Sequence, residues 1–250
     1  MRKEIERELG RLSETMGVKV LYAVESGSRA WGFASPDSDY DVRFIYVRRK
    51  EDYLRLDAPR DVIEWRLDQV LDINGWDLKK ALVQFHRSNS VLFEWSNSPI
   101  VYDTTEAWKQ IYGQAASLYF SCKSAMYHYY GTANKNYYEY LQEEMVKYKK
   151  YFYVLRPILA CKWIEARKGP PPVLFDELVK HVLEEEMKPV VAELLAKKVT
   201  MSEGELAPRI GRLDEYIEKN LVYYKERIAS MADDRKSEWE SLEQAFLRIL

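Results

Sequence analysis

Near residue 103 the hydrophobic period of this 250-residue chain changes, and that change limits its fold more than any other feature. Ahead of it, short apolar runs alternate with turn formers. Residues 18–25 and 41–47 are alternating and rich in β-branched side chains, and 61–67 and 69–73 are short enough to pair as a hairpin. Ile5, Leu9, Leu12 and Met16 recur at helical spacing with Gly17 as a natural stop, and Asn74 reads as a cap for a helix through Leu78, Ala81, Leu82 and Phe85. Beyond Tyr102 the period is helical throughout, with tyrosines and phenylalanines on the apolar stripes and no comparable strand signal. The pattern predicts an α+β fold: an α/β unit over residues 1–103, then an all-helical part over 104–250, broken at Gly169-Pro170-Pro171-Pro172.

Charge narrows the function. Thirty-eight Lys and Arg against 40 Asp and Glu give a net charge of −2, which excludes a global basic field, so any polyanion site must be local. Cys122 and Cys161 are too few for a disulfide framework or a thiolate zinc site, and a reducing, cytoplasmic setting is expected. The first dozen residues carry charges throughout, so neither a signal peptide nor a membrane span is expected there. His86, His128 and His181 lie far apart on different predicted helices, which argues against a histidine metal site.

The chemistry centres on Asp39-Tyr40-Asp41 at the entry to a predicted strand, where residues two apart point to one side. Two neighbouring carboxylates repel unless a cation sits between them, and a hard divalent ion with oxygen ligands, Mg2+ or Mn2+, is the usual partner. A third carboxylate from a neighbouring strand would complete a two-metal clamp for phosphoryl transfer. Taken alone, Asp-x-Asp is more readily a surface turn. Upstream, Gly27 and Ser28 stand where a strand ends and a short helix begins, followed by Arg29, and backbone N–H groups at such a junction can hold a phosphate.

Together, Gly27-Ser28, a gap of about a dozen residues, and Ser38-Asp39-x-Asp41 before the apolar run 42–47 resemble the signature of the polymerase beta nucleotidyltransferase superfamily. More narrowly, GSRAWGFASPDSDYDVRFIY, with GWDLKKAL, LFEWSNSPIVY and KYKKYFYVLRPILA downstream, is similar to the RlaP family, the RNA repair pathway polymerase beta group, over roughly residues 20–175. The resemblance implies a nucleotidyltransferase domain followed by a helical domain, and a role in RNA end repair or tailing. One departure is Asn89-Ser90, where the family tends to have Asn-Pro. In the superfamily the third carboxylate lies on a later strand. Asp72, between apolar neighbours, has the best setting; Asp77, three residues after Asn74, also fits a capping box, and Glu64 also fits an exposed position paired with Arg66.

Between residues 145 and 168 seven basic side chains face the single acid Glu165. Lys149, Tyr153 and Arg156 fall at helical spacing, so one face is expected to present cations to a triphosphate; Lys149, Lys150 and Arg156 coincide with the family-like string. Eleven of the 19 tyrosines lie between Tyr112 and Tyr153, most expected in packing and some able to stack on a base. The reading that unites these features is transfer of a nucleoside monophosphate from a nucleoside triphosphate to an acceptor hydroxyl, an RNA 3′ end being one candidate. Asp39, Asp41 and Asp72 would hold the metals, Gly27, Ser28 and Arg29 the phosphates. Two alternatives stand beside it: a protein or small-molecule acceptor, and a transferase-like scaffold without activity.

Overall fold

Helix α1 (Arg2–Met16) buries Ile5, Leu9 and Leu12 on one stripe and stops at Gly17, whose left-handed φ of 60° lets its N–H reach the Ser13 carbonyl. This helix begins a computed structural model that describes residues 1–35, 38–200 and 205–250. The chain forms two compact units, one of Met1–Phe120 with Arg235–Leu250 and one of Ser121–Asp234.

In the first unit β1 (Lys19–Glu25), α2 (Gly27–Trp31), β2 (Tyr40–Val47), α3 (Lys50–Tyr53), β3 (Val62–Leu67) and β4 (Leu71–Asp77) follow one another. Helices α4 (Leu78–His86) and α5 (Ser90–Ser96), edge strand β5 (Val101–Thr104) and α6 (Glu106–Leu118) come next. The sheet order is β3-β4-β2-β1-β5, antiparallel throughout except for the parallel β2–β4 pair. Both faces are covered. On one, Ile5, Leu9 and Leu12 pack on Val42, Phe44, Tyr46 and Ile73; on the other, Ile45, Val47 and Tyr22 pack with Leu82, Phe85, Phe93 and Trp108. Alternation along β2 thus sends odd and even positions into different cores.

Two expectations change here. Asn74 is not a helix cap but a ladder residue of β4, registered with Arg43 on β2 and Glu64 on β3. The strand runs on to Asp77, which itself caps α4 by accepting from Lys79 N–H at 2.8 Å. Pairing on both sides outweighs the local turn preference of Asn-Gly, and Gly75 is needed because a Cβ there would lie 2.3 Å from the Phe44 ring. The division between units also falls at Phe120 rather than near 103. Trp108, Ile111 and Ala115 of α6 bury in the core on the α4 side of the sheet, so α6 belongs to the first unit although its period is helical.

The second unit holds α7 (Cys122–Tyr140), β6 (Met145–Val146), α8 (Lys149–Arg167), α9 (Phe175–Val182), α10 (Lys188–Thr200), β7 (Ala207–Pro208) and α11 (Gly211–Ala229). The short β6–β7 ladder interrupts the expected all-helical run; two residues per strand are too few to leave a periodic signal. Helix α8 is the inner helix, buried at Tyr151, Phe152, Leu155, Ile158, Leu159 and more. Tyrosines serve this core because each hydroxyl finds a partner: Tyr151 donates to Asp214 at 3.0 Å, Tyr137 to Glu218 at 2.5 Å and Tyr216 to Glu184 at 2.8 Å. After residue 235 the chain rejoins the first unit, where Leu242 and Ala245 of α12 (Glu240–Ile249) bury in the same core as α4 and α6. Among the described residues no helix is long and apolar enough to cross a membrane.

Candidate active site

Strand β1 ends at Glu25, and the chain turns through Ser26 into Gly27, whose φ of 62° opens the five-residue helix α2. The turn folds directly against Asp41. Ser26 N–H donates to the Asp41 carbonyl at 2.8 Å, and Asp41 N–H donates to Glu25 Oε1 at 2.7 Å. A Cβ on Gly27 would lie 2.3 Å from Asp41 Oδ2. Glycine is therefore required twice, for the left-handed backbone and for the space the carboxylate occupies.

The parallel ladder sets Asp41 opposite Asp72, so their side chains leave the same face of the sheet. Arg43, one pleat along β2, stands between them: its Nη2 donates to Asp41 Oδ1 at 3.0 Å and to Asp72 Oδ2 at 2.8 Å, and its Nη1 to the Val42 and Asp72 carbonyls. Burial raises the Asp41 carboxyl above its ordinary value; Arg43 pulls it down, and Asp72 and Asp39 push it up again. Asp39 lies one residue before β2 and is exposed. Its loop is tied down by Arg29, which donates from Nε to the Asp39 carbonyl at 3.0 Å and from Nη2 to the Ser38 carbonyl at 2.5 Å, with its guanidinium 3.7 Å from the Tyr40 ring centroid. Arg29, expected from the sequence to meet phosphate, makes these contacts to the acidic loop. Asp37, in the same loop, lies outside the described residues.

The other candidates for a third carboxylate are placed elsewhere. Asp77 pairs with Tyr46, five positions along β4 and on the opposite face from Asp72 by strand alternation. It accepts from Tyr53 Oη at 2.9 Å and from Lys79 N–H, and the Arg48 guanidinium lies 4.0 Å away. Glu64 is exposed on the outer strand β3, and its expected partner Arg66 pairs with Glu4 and Asp68 instead. A bulge between Glu64 and Arg66 separates the two.

Arg156 corrects the expectation of a cationic helix face. It is 4% exposed inside the second unit and donates from Nε to the Val173 carbonyl at 3.2 Å. Spacing alone placed it with Lys149, but α8 is covered on nearly all sides, so the same spacing carries it into the core. Lys150 places its ammonium 3.3 Å from the Tyr140 ring centroid, and partial burial lowers its pKa, helped by Lys149 and Lys147. Lys149 is half-buried.

Glu25 and Tyr102 were missed by the sequence reading. Glu25 is fully buried, with one carboxylate oxygen on Asp41 N–H and the other accepting from the Tyr102 hydroxyl; burial raises its pKa. The available signal was an acid at the end of an otherwise apolar strand. Among the described residues no three His, Cys, Asp or Glu side chains gather as a group able to hold a metal. What does converge is a pair of hard oxygen donors, Asp41 and Asp72, around one shared cation, the Arg43 guanidinium. Carboxylate oxygens are the donors that hard divalent ions take, and here both carboxylates are paired with Arg43.

A family model described as the RNA repair pathway DNA polymerase beta family, RlaP, matches residues 1–248. The chain belongs to this family. Membership makes it a polymerase beta-type nucleotidyltransferase by descent. A relative in Bacillus subtilis (strain 168), named uncharacterized protein YcgL, is 44% identical over 255 aligned positions, covering 100% of this chain and 95% of its own length. A crystal structure of a nucleotidyltransferase-like protein from Exiguobacterium sibiricum 255-15 aligns over 90% of this chain and 75% of its own, at 13% identity and a TM-score of 0.31.

The position of Asp77 in this RlaP chain yields a separable prediction. Burial raises its pKa in the folded state, so ionising it costs stability progressively as pH rises from the ordinary aspartate value of 3.8 through the folded value. Asp77→Asn keeps the cap oxygen and removes that cost. Denaturant titrations at several pH values should show the variant gaining on the parent as pH rises through this window, with transfer activity intact. Lost activity in Asp77→Asn, with Asp72→Asn unimpaired, would exchange the roles of the two residues.

Proposed function

We propose that this protein transfers a nucleoside monophosphate from a nucleoside triphosphate to an acceptor hydroxyl, and that the acceptor is the 3′ end of an RNA. The observation that carries the reading is the meeting of Asp41 and Asp72 on Arg43 Nη2 beside the Gly27 turn. In the reaction the acceptor oxygen bonds to the α-phosphorus, the α–β bridging bond breaks, pyrophosphate leaves and the acceptor proton passes to solvent.

Asp39, Asp41 and Asp72 are the residues that would hold Mg2+ or Mn2+. When bound, such ions lower the pKa of the acceptor hydroxyl and offset charge on the leaving pyrophosphate. The chain itself supplies placement. Glu25 and the Ser26 N–H grip the Asp41 backbone from both sides, Arg29 steadies the loop that carries Asp39, and Arg43 keeps two repelling carboxylates close. Gly27 and Ser28 are proposed to seat the outer phosphates. A protein or small-molecule acceptor is the second reading, favoured by the net charge of −2, since a long RNA footprint draws on many cations.

Incubation of the protein with each labelled triphosphate, Mg2+ or Mn2+, and either RNA bearing a free 3′ hydroxyl or a protein extract separates the readings. Label on RNA is the expected outcome. Label confined to protein transfers the conclusion to the second reading, and absence of both labelling and triphosphate binding leaves only a scaffold.

A further inference from the structure

A single nitrogen joins the two acids at the centre of the site. Arg43 Nη2 touches one oxygen of each carboxylate, Asp41 Oδ1 at 3.0 Å and Asp72 Oδ2 at 2.8 Å. The other terminal nitrogen, Nη1, donates to the Val42 carbonyl at 3.0 Å and the Asp72 carbonyl at 3.2 Å, so the fork is fixed by both β2 and β4. The Arg43 side chain is 18% exposed, less than either acid it joins, at 34% and 27%. Among the described residues neither carboxylate has a second ion-pair partner.

The remaining oxygen of Asp41 is hemmed in, since Oδ2 lies against the Gly27 turn, 2.3 Å from where a Cβ would stand. The oxygens on Nη2 are therefore the ones left to bridge an ion between Asp41 and Asp72. An ion gripping those two oxygens would stand in the place of Nη2 or beside it, and two cations side by side in a partly desolvated site repel strongly. Deprotonation cannot clear the way, because a guanidinium keeps its charge in proteins. Only exchange of one cation for the other can.

We propose that Arg43 competes with a divalent ion for the Asp41–Asp72 pair: it holds the two carboxylates together in the ion-free protein and must swing off them for an ion to load. The proposal rests on the transferase reading above, and it makes Arg43 a positioning residue, since it acts through the two acids. Without a cation between them the carboxylates repel, so a bare pair would splay or take up a proton. Arg43 keeps the pair ionised and in place, at the expense of part of its affinity for the ion. An arriving ion must offset the loss of two charge-assisted hydrogen bonds before it gains its own ligands. Removing Arg43 should therefore strengthen ion binding, the reverse of what deleting a merely structural side chain does to the site it supports.

The test uses the full chain without nucleotide and Mn2+ as the probe, with unbound ion read from its electron paramagnetic resonance signal. Arg43→Gln is expected to bind Mn2+ about 10- to 100-fold more tightly than the parent, and Asp72→Asn in the same background to abolish the gain. Arg43→Lys keeps the charge but loses the fork, so its affinity should fall between the two, and it carries the test if Arg43→Gln does not fold. The ion-free thermal midpoint of Arg43→Gln should drop and recover with Mn2+. In a proton–nitrogen correlation spectrum the Arg43 Nε–H resonance, assigned by its loss in Arg43→Gln, should shift when Mg2+ saturates the parent. Equal or weaker Mn2+ binding in the variants overturns the proposal, as does an Arg43 resonance that stays in place at saturating Mg2+. Tighter Mn2+ binding in Arg43→Gln with no labelled triphosphate used by any acceptor leaves the competition standing and removes the transferase reading. Transfer by the parent with unchanged Mn2+ affinity in the variants does the opposite.

Discussion

Asp41→Asn is expected to lower nucleotidyl transfer by about 10³-fold or more, because it removes one of two convergent anionic oxygens from the centre of the site. The fold should not suffer. Burial and the neighbouring Asp72 and Asp39 already raise the Asp41 carboxyl, so an amide of the same shape relieves repulsion while Arg43 keeps Asp72 as its partner. A thermal midpoint equal to or above the parent, together with lost transfer, is the pattern of a site whose charges are gathered for chemistry at a cost in stability. Full activity in this variant, measured with labelled triphosphate and the preferred acceptor, would remove the proposed site.

Gly27→Ala should also lower transfer, by a steric route. The new methyl must displace Asp41 Oδ2, which lies 2.3 Å from where its Cβ belongs, and a misplacement of this order at a reacting centre costs about 10²-fold. Alanine at a φ of 62° adds about 1–2 kcal/mol of backbone strain, read as a lower denaturation midpoint. Gly10→Ala is the matched control: it lies inside α1 with nothing within 4 Å of its Cβ, and it should stabilise the protein by about 0.5–1 kcal/mol without touching activity. Equal activity in Gly27→Ala and Gly10→Ala would show that the turn does not govern the Asp41 carboxylate.

The sites that resist sequence reading share one property: their partners are distant along the chain. Glu25 acquires its role from Asp41, 16 residues on, and from Tyr102, 77 residues on. Arg43 looks like an ordinary alternation in a strand until the parallel ladder brings Asp72 beside it. Arg156 shows the converse error, since its spacing from Lys149 is helical but the helix is buried nearly all round.

By itself the sequence determined the local elements of this RlaP chain and the chemistry available to it. Period-two runs, the stop at Gly17, the glycine turn before α2 and the Asp-x-Asp at the head of β2 all follow from backbone preferences and spacing over a few residues. Only the tertiary structure decided which acid stands beside Asp41, that β4 runs through Asn74 to Asp77, and that α6 and α12 serve the first core. The physical reason is that register and burial are set by pairing and packing between segments far apart in sequence. Those interactions outweigh the fraction of a kilocalorie by which any one residue prefers strand, cap or turn.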